Sequence, residues 1–289
     1  MKHYLYSSAC VGTLLWSLMA PSFADPVPRK AAHENEIHFD LYNDHLLVVQ
    51  GNVGPIEGVP VLLDTGKSPT AISPEVAKGL DIHGELQPLL FSNGTIQVES
   101  VILPSVSIGN LEVSGVRVLV QDLSYFEKRF GVTLAAIVGL DILSTRSFVI
   151  DYQKRKIILG RGRPGMKRVP FATRAPFLTV DARIDGQILR LLVDSGTSGL
   201  LVYEKSFNRI HPLLASGDPK ISTASGPMKA AWYQASEVSI GSESLGPRIL
   251  LLADVVPDSR CKFDGLLGFV KIGFRKVWFD SDDGLLAWE

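Results

Sequence analysis

The chain has 289 residues, 46% of them apolar and 20% charged, with a formal net charge of −1. That balance is globular rather than disordered, and it supplies no field to draw in nucleic acid or an acidic membrane surface. Two cysteines, Cys10 and Cys261, are too few for a disulfide framework or a zinc cluster.

Residues 1–24 read as a secretory signal. Lys2 and His3 precede an apolar segment running to Ala20, and Pro21-Ser22-Phe23-Ala24 places small residues where a signal peptidase needs them, so cleavage is expected after Ala24. The apolar core falls short of the roughly 20 residues of a membrane span. Cys10 precedes most of that core, which argues against a lipid-modified cysteine. The expected product is secreted or periplasmic, has no membrane span, and keeps Cys261 as its single loop thiol. Residues 25–36 are a polar lead.

From Ile37 the pattern is strand after strand: Ile37–Leu41, Leu46–Gln50 and Val59–Leu63, the last running into Asp64-Thr65-Gly66. A short helix follows, with Ser73 as N-cap, Pro74 in its first turn and Gly79 as its stop. Next comes a hairpin with a turn expected at Asn93-Gly94, a candidate flap over a cleft. Strands Ser105–Ile108 and Val116–Val120 lead to an amphipathic helix near Leu123–Phe130, and then to Ile137-Val138-Gly139. The basic stretch Lys154–Arg168 lacks aromatic stacking residues and reads as a solvated strand edge and linker rather than a nucleic-acid patch.

The second half repeats the first. Strand Phe177–Ile184, a turn at Asp185-Gly186 and strand Ile188–Val193 run into Asp194-Ser195-Gly196-Thr197. A less clearly capped helix is expected around Tyr203–Ile210. Ile221–Ala231, turning at Ser225-Gly226-Pro227, is the matching flap candidate. Leu266-Leu267-Gly268 then lies 74 positions after Asp194, as Gly139 lies 75 after Asp64, and Asp151 and Asp280 each follow their glycine by 12. Three landmarks in register at a period of about 130 residues mark a duplicated unit.

Two Asp-Thr/Ser-Gly motifs, each followed by an apolar-apolar-Gly, resemble the aspartic protease superfamily. Each half is most similar to the retropepsin-like unit, through Leu63–Leu80 with Ile137–Leu143. The resemblance implies a mainly β, bilobal acid-protease fold with two duplicated β-barrel-like lobes and short helices, divided here as 37–163 and 164–289. It also implies that Asp64 and Asp194 share a water as catalytic dyad. Thr65 and Ser195 would bond across the lobes, and Gly66, Gly196 and Thr197 would support the carboxylates. With both half-sites on one chain a monomer is expected, acting on peptide or protein substrates with no cofactor and no metal.

The chemistry suits the residues. Two close carboxylates cannot both ionise cheaply, so one keeps a proton and the pair titrates as a unit, supplying acid and base together. One position departs from the family pattern: Lys67 stands where the second half has Thr197. Either its cation lowers the pKa of the dyad, or its stem packs along the loop and its ammonium reaches solvent. Ala135-Ala136, where the second half has Asp264-Gly265, is a lesser departure, expected to affect packing. The alternative to an enzyme is a non-catalytic protein on the same fold that holds a peptide or partner in the cleft. His33, His38, His45, His83 and His211 show no metal-ligand spacing and read as surface or strand-end residues. Ser195 lacks the Gly-x-Ser-x-Gly setting of a hydrolase nucleophile.

Overall fold

The computed structural model describes residues 5–6, 35–91, 94–160, 166–174, 177–208, 221–223, 226–254 and 263–289. Within them the chain is mostly strand, with three short α-helices and one 3-10 turn. Ser73 caps the first helix, Pro74–Gly79, by accepting from the Val76 amide; Gly79 is its last residue and Leu80 its C-cap. The second helix, Ser124–Phe130, ends on Gly131 in the left-handed region, where a side chain would be strained. In the second half a single 3-10 turn, Glu204–Ser206, takes the place of the expected helix among the described residues.

In the first half, six strands close on themselves. Leu46–Val53 pairs with Ile56–Leu63, which runs parallel to Ala136–Val138. Ala71–Ile72, Leu111–Val120 and Gly94–Ile108 follow, and Asn52 opposite Ser107 returns the ring to Leu46–Val53. The second half closes in the same order: Phe177–Ile184, Gln187–Val193, Gly265–Leu267, Leu200–Tyr203, Glu243–Ala253 and Ala230–Ile240, with Ala182 opposite Ile240. Closure pairs the backbone groups that an open sheet edge would leave bare. The turn between the first two strands here is Asp185-Gly186, both at positive φ, as a two-residue hairpin loop requires.

Between the rings lies one antiparallel sheet built equally from both halves. Its order is Lys167–Pro170, Leu285–Trp288, Lys276–Asp280, Phe148–Asp151, Lys156–Leu159, Glu36–His38, and its middle is the pairing of Phe148–Asp151 with Lys276–Asp280. Phe148 stacks on Phe279 there, with ring centroids 4.6 Å apart. Both ends of the basic stretch are thus strands of this sheet; Arg161 and Arg163 fall outside the described residues. A single apolar cluster runs from Leu47 and Val61 of the first ring through Ile150 and Phe279 to Val180 and Leu191 of the second. The fold is therefore mainly β and two-lobed, with the lobes fused through a common core.

Both flap candidates differ from expectation in register. Phe91 pairs with Gly94 and Thr223 with Gly226, so each glycine begins the returning strand rather than standing in the turn. Asn93 and Ser225, the other candidates, lie outside the described residues, as do Cys261, His33, His211 and Ala24.

Candidate active site

Two strands end at the seam between the rings. Val61-Leu62-Leu63 and Leu191-Leu192-Val193 are wholly buried, sandwiched on both faces as parallel-paired strands are. Each hands over to its aspartate, whose amide is fixed by the strand paired in parallel beside it: Asp64 N donates to Val138 O and Asp194 N to Leu267 O, both at 3.0 Å. Thus the apolar-apolar-Gly segments hold the aspartates in place.

The two loops grip each other. Thr65 N donates to Ser195 Oγ at 3.0 Å and Ser195 N to Thr65 Oγ1 at 2.9 Å. The Thr65 hydroxyl in turn donates to Val193 O and the Ser195 hydroxyl to Leu63 O. Gly66 N donates to Asp64 Oδ1 at 2.8 Å, and Gly196 N to Asp194 Oδ1 at 2.7 Å. A Cβ on Gly66 would strike the Asp194 carboxylate, and one on Gly196 would press within 3.1 Å of both Asp64 oxygens, so glycine is needed at both places for close approach.

Asp64 and Asp194 are 4% and 1% exposed and hydrogen-bond each other through their carboxyl groups. Burial pushes Asp64 well above the usual carboxylate range, and the charge of Asp194 pushes it further; Gly66 N and the Lys67 cation oppose this. Asp194 is also raised by burial, but less freely, because Thr197 Oγ1 donates to its Oδ2 at 2.9 Å in addition to Gly196 N on Oδ1.

Lys67 does not reach solvent. It is 0% exposed, and its ammonium donates to Gln121 Oε1 at 3.1 Å. Burial lowers its pKa to about 8, while Asp64 and Asp141 favour its charged form. The expectation of an ammonium in water is therefore corrected: the stem is too enclosed by the loop to surface, and Gln121 and the two carboxylates give the cation a buried seat. Asp141 is itself held at the loop by Thr70, whose amide lies 3.0 Å from both its oxygens and whose hydroxyl donates to Oδ1 at 2.9 Å. Gly139 N closes the arrangement by donating to Thr70 Oγ1.

The other departure is explained by a proline. In the second half Asp264 N donates to Arg190 O, and Asp264 Oδ2 accepts from Arg190 N. The first half matches this with Ala135 N donating to Pro60 O. Pro60 has no N–H to satisfy, so no carboxylate is required at position 135.

The sequence reading passed over four residues at the site: Gln121, Asp141, Tyr152 and His45. Asp141 carried a signal, lying two residues beyond Gly139. Tyr152 has a buried hydroxyl without a hydrogen-bond partner, and burial together with the Asp194 charge holds it neutral. His45, read from sequence as a bland strand-end residue, is 8% exposed and lies within the field of Asp194. Among the described residues no three metal-ligating side chains cluster, and no helix is long and apolar enough to cross a membrane.

A family model described as aspartyl protease matches the chain twice, over residues 49–142 and 180–269. A search of curated proteins returns no match.

Proposed function

The chain belongs to the aspartyl protease family, and from that premise we propose that it is an aspartic endopeptidase whose Asp64 and Asp194 activate water against a peptide bond. The observation that carries the reading is the pair of buried carboxyl groups in hydrogen-bond contact, each on its own loop and gripped by the other. Burial makes a second ionisation costly, so the pair holds one proton over a wide pH range.

The donor count favours placing that proton on Asp64. Asp194 takes a loop amide on one oxygen and the Thr197 hydroxyl on the other, both of which stabilise its charge. Asp194 then acts as base toward the attacking water, and Asp64 donates to the carbonyl oxygen as the tetrahedral centre forms. Peptides and proteins are the substrates; a monomer suffices, since both half-sites are on one chain. A signal cleaved after Ala24 would deliver the protein to the periplasm or beyond.

The test is cleavage of a mixed peptide library from about pH 3 to pH 8 by the protein, beside Asp64→Asn and Asp194→Asn. Cleavage that either substitution abolishes supports the reading. Folded protein that cleaves nothing at any pH refutes it in favour of a non-catalytic cleft.

A further inference from the structure

Each barrel opens with a hairpin whose second strand ends at an aspartate, but the two openings differ near the dyad. In the first, Leu47 faces Leu63; in the second, Thr179 faces Leu192, so Leu178 is the match of Leu47. Two residues earlier stand His45 and Pro176. The sequence of the first half thus has a hydrogen-bonding side chain at the position where the second half has proline.

The His45 side chain crosses to the other half. Its Nδ1 lies 2.6 Å from Asn43 O, inside a turn where Asn43 and Asp44 both have positive φ. Its ring also bonds the backbone of Gly196, the residue whose amide holds Asp194 Oδ1. With Nδ1 engaged by Asn43, Nε2 is the nitrogen left for Gly196. An imidazole between two backbone oxygens is best satisfied with both nitrogens protonated, which makes it a cation.

We propose that His45 is a positioning residue for Asp194: bridging Asn43 O and Gly196, it pins the second aspartate loop from the opposite half and, when protonated, sets a positive charge beside that carboxylate. The charged groups acting on the ring are Asp194, which favours the imidazolium, and Lys271, which opposes it. Burial opposes the charged ring most strongly and holds its pKa below the usual histidine value, while Asp194 pulls the other way. The proposal rests on the protease reading only for its catalytic consequence. The contact itself is testable without turnover.

The first measurement is a pH titration of the His45 ring nitrogens by NMR in the protein and in Asp194→Asn. If the two groups face each other, removing the anion lowers the His45 midpoint by roughly half a unit or more. An unchanged midpoint overturns the proposal, whether or not the protein cleaves peptides. The second measurement compares His45→Gln, whose amide reaches the place of Nε2 and Gly196, with His45→Asn, whose amide reaches the place of Nδ1 and Asn43. Positioning through Gly196 predicts that Gln retains at least about tenfold more kcat than Asn, with similar KM, and that both move the acid limb of the pH profile upward. Equal activity in the two variants at equal stability, or better retention by Asn, assigns His45 to its own turn and overturns the proposal.

Discussion

Thr65 and Ser195 are each other's partners twice over, since the hydroxyl of each accepts the amide of the other. The bonds span 130 residues of sequence and tie the loops that carry the two carboxylates.

Ser195→Ala removes the acceptor for the buried Thr65 amide and the donor to Leu63 O. A buried donor without a partner costs about 1–3 kcal/mol. Urea unfolding should show that loss. Thr65→Ala should cost a similar amount, and the double variant less than the two together, because the same contact is lost in each.

Lys67→Met tests the buried cation through stability. Its pKa falls from 10.5 to about 8 on folding, so between those values the unfolded chain holds the extra proton and stability rises with pH. The protein should gain on the order of 3 kcal/mol across that window, while the variant lacks this rise. Unfolding measured between about pH 8 and pH 10 reads the difference; Tyr152, kept neutral by burial, acts in the opposite sense only above that range.

The same substitution has a kinetic signature. The ammonium favours ionised Asp64 and so hastens loss of the dyad's last proton as pH rises. Without it the alkaline limb of the kcat profile should move up by about one unit. A limb that stays in place or moves down would show that the ammonium does not act on the dyad's last proton.

Gly66→Ala should leave no measurable peptidase activity while retaining the strand signature in circular dichroism. The added methyl meets the Asp194 carboxylate itself and drives the two acids apart. Gly79→Ala is the control, because a Cβ there meets nothing within 4 Å.

Asp64→Asn should gain on the unmodified protein in stability as pH rises. The raised carboxyl binds its proton more tightly folded than unfolded, so ionisation above the ordinary value of 3.8 subtracts from folding stability in the unmodified protein alone. Denaturation midpoints at about pH 4 and pH 7 should diverge in favour of the variant.

The duplicated barrels were legible because each half carries the same landmarks: an apolar run into Asp, a second apolar run into Gly, a fixed interval between. The Ser73 cap and the Asp185-Gly186 turn were legible too, since both are settled by neighbouring residues. What sequence missed depends on distant partners. Lys67 reads equally as a cation acting on the dyad or as one in solvent until Gln121 and Asp141 are brought to it from 54 and 74 positions away. Ala135 reads as a deviation until Pro60 is found opposite it. Gly94 was expected in a turn because Asn-Gly is a strong local signal, yet the register of the flanking strands sets it opposite Phe91 at the start of the returning strand.

The sheet shared by the halves also orders events during synthesis. Phe148–Asp151 lies in the middle of that sheet, yet its partner, Lys276–Asp280, leaves the ribosome more than a hundred residues later. Until then a nascent first barrel presents an unpaired, wholly apolar Phe148-Val149-Ile150 edge, the kind of edge that recruits other chains. A gene fragment encoding only the first half would carry that edge permanently, so its expected fate is pairing with a second copy of itself or aggregation.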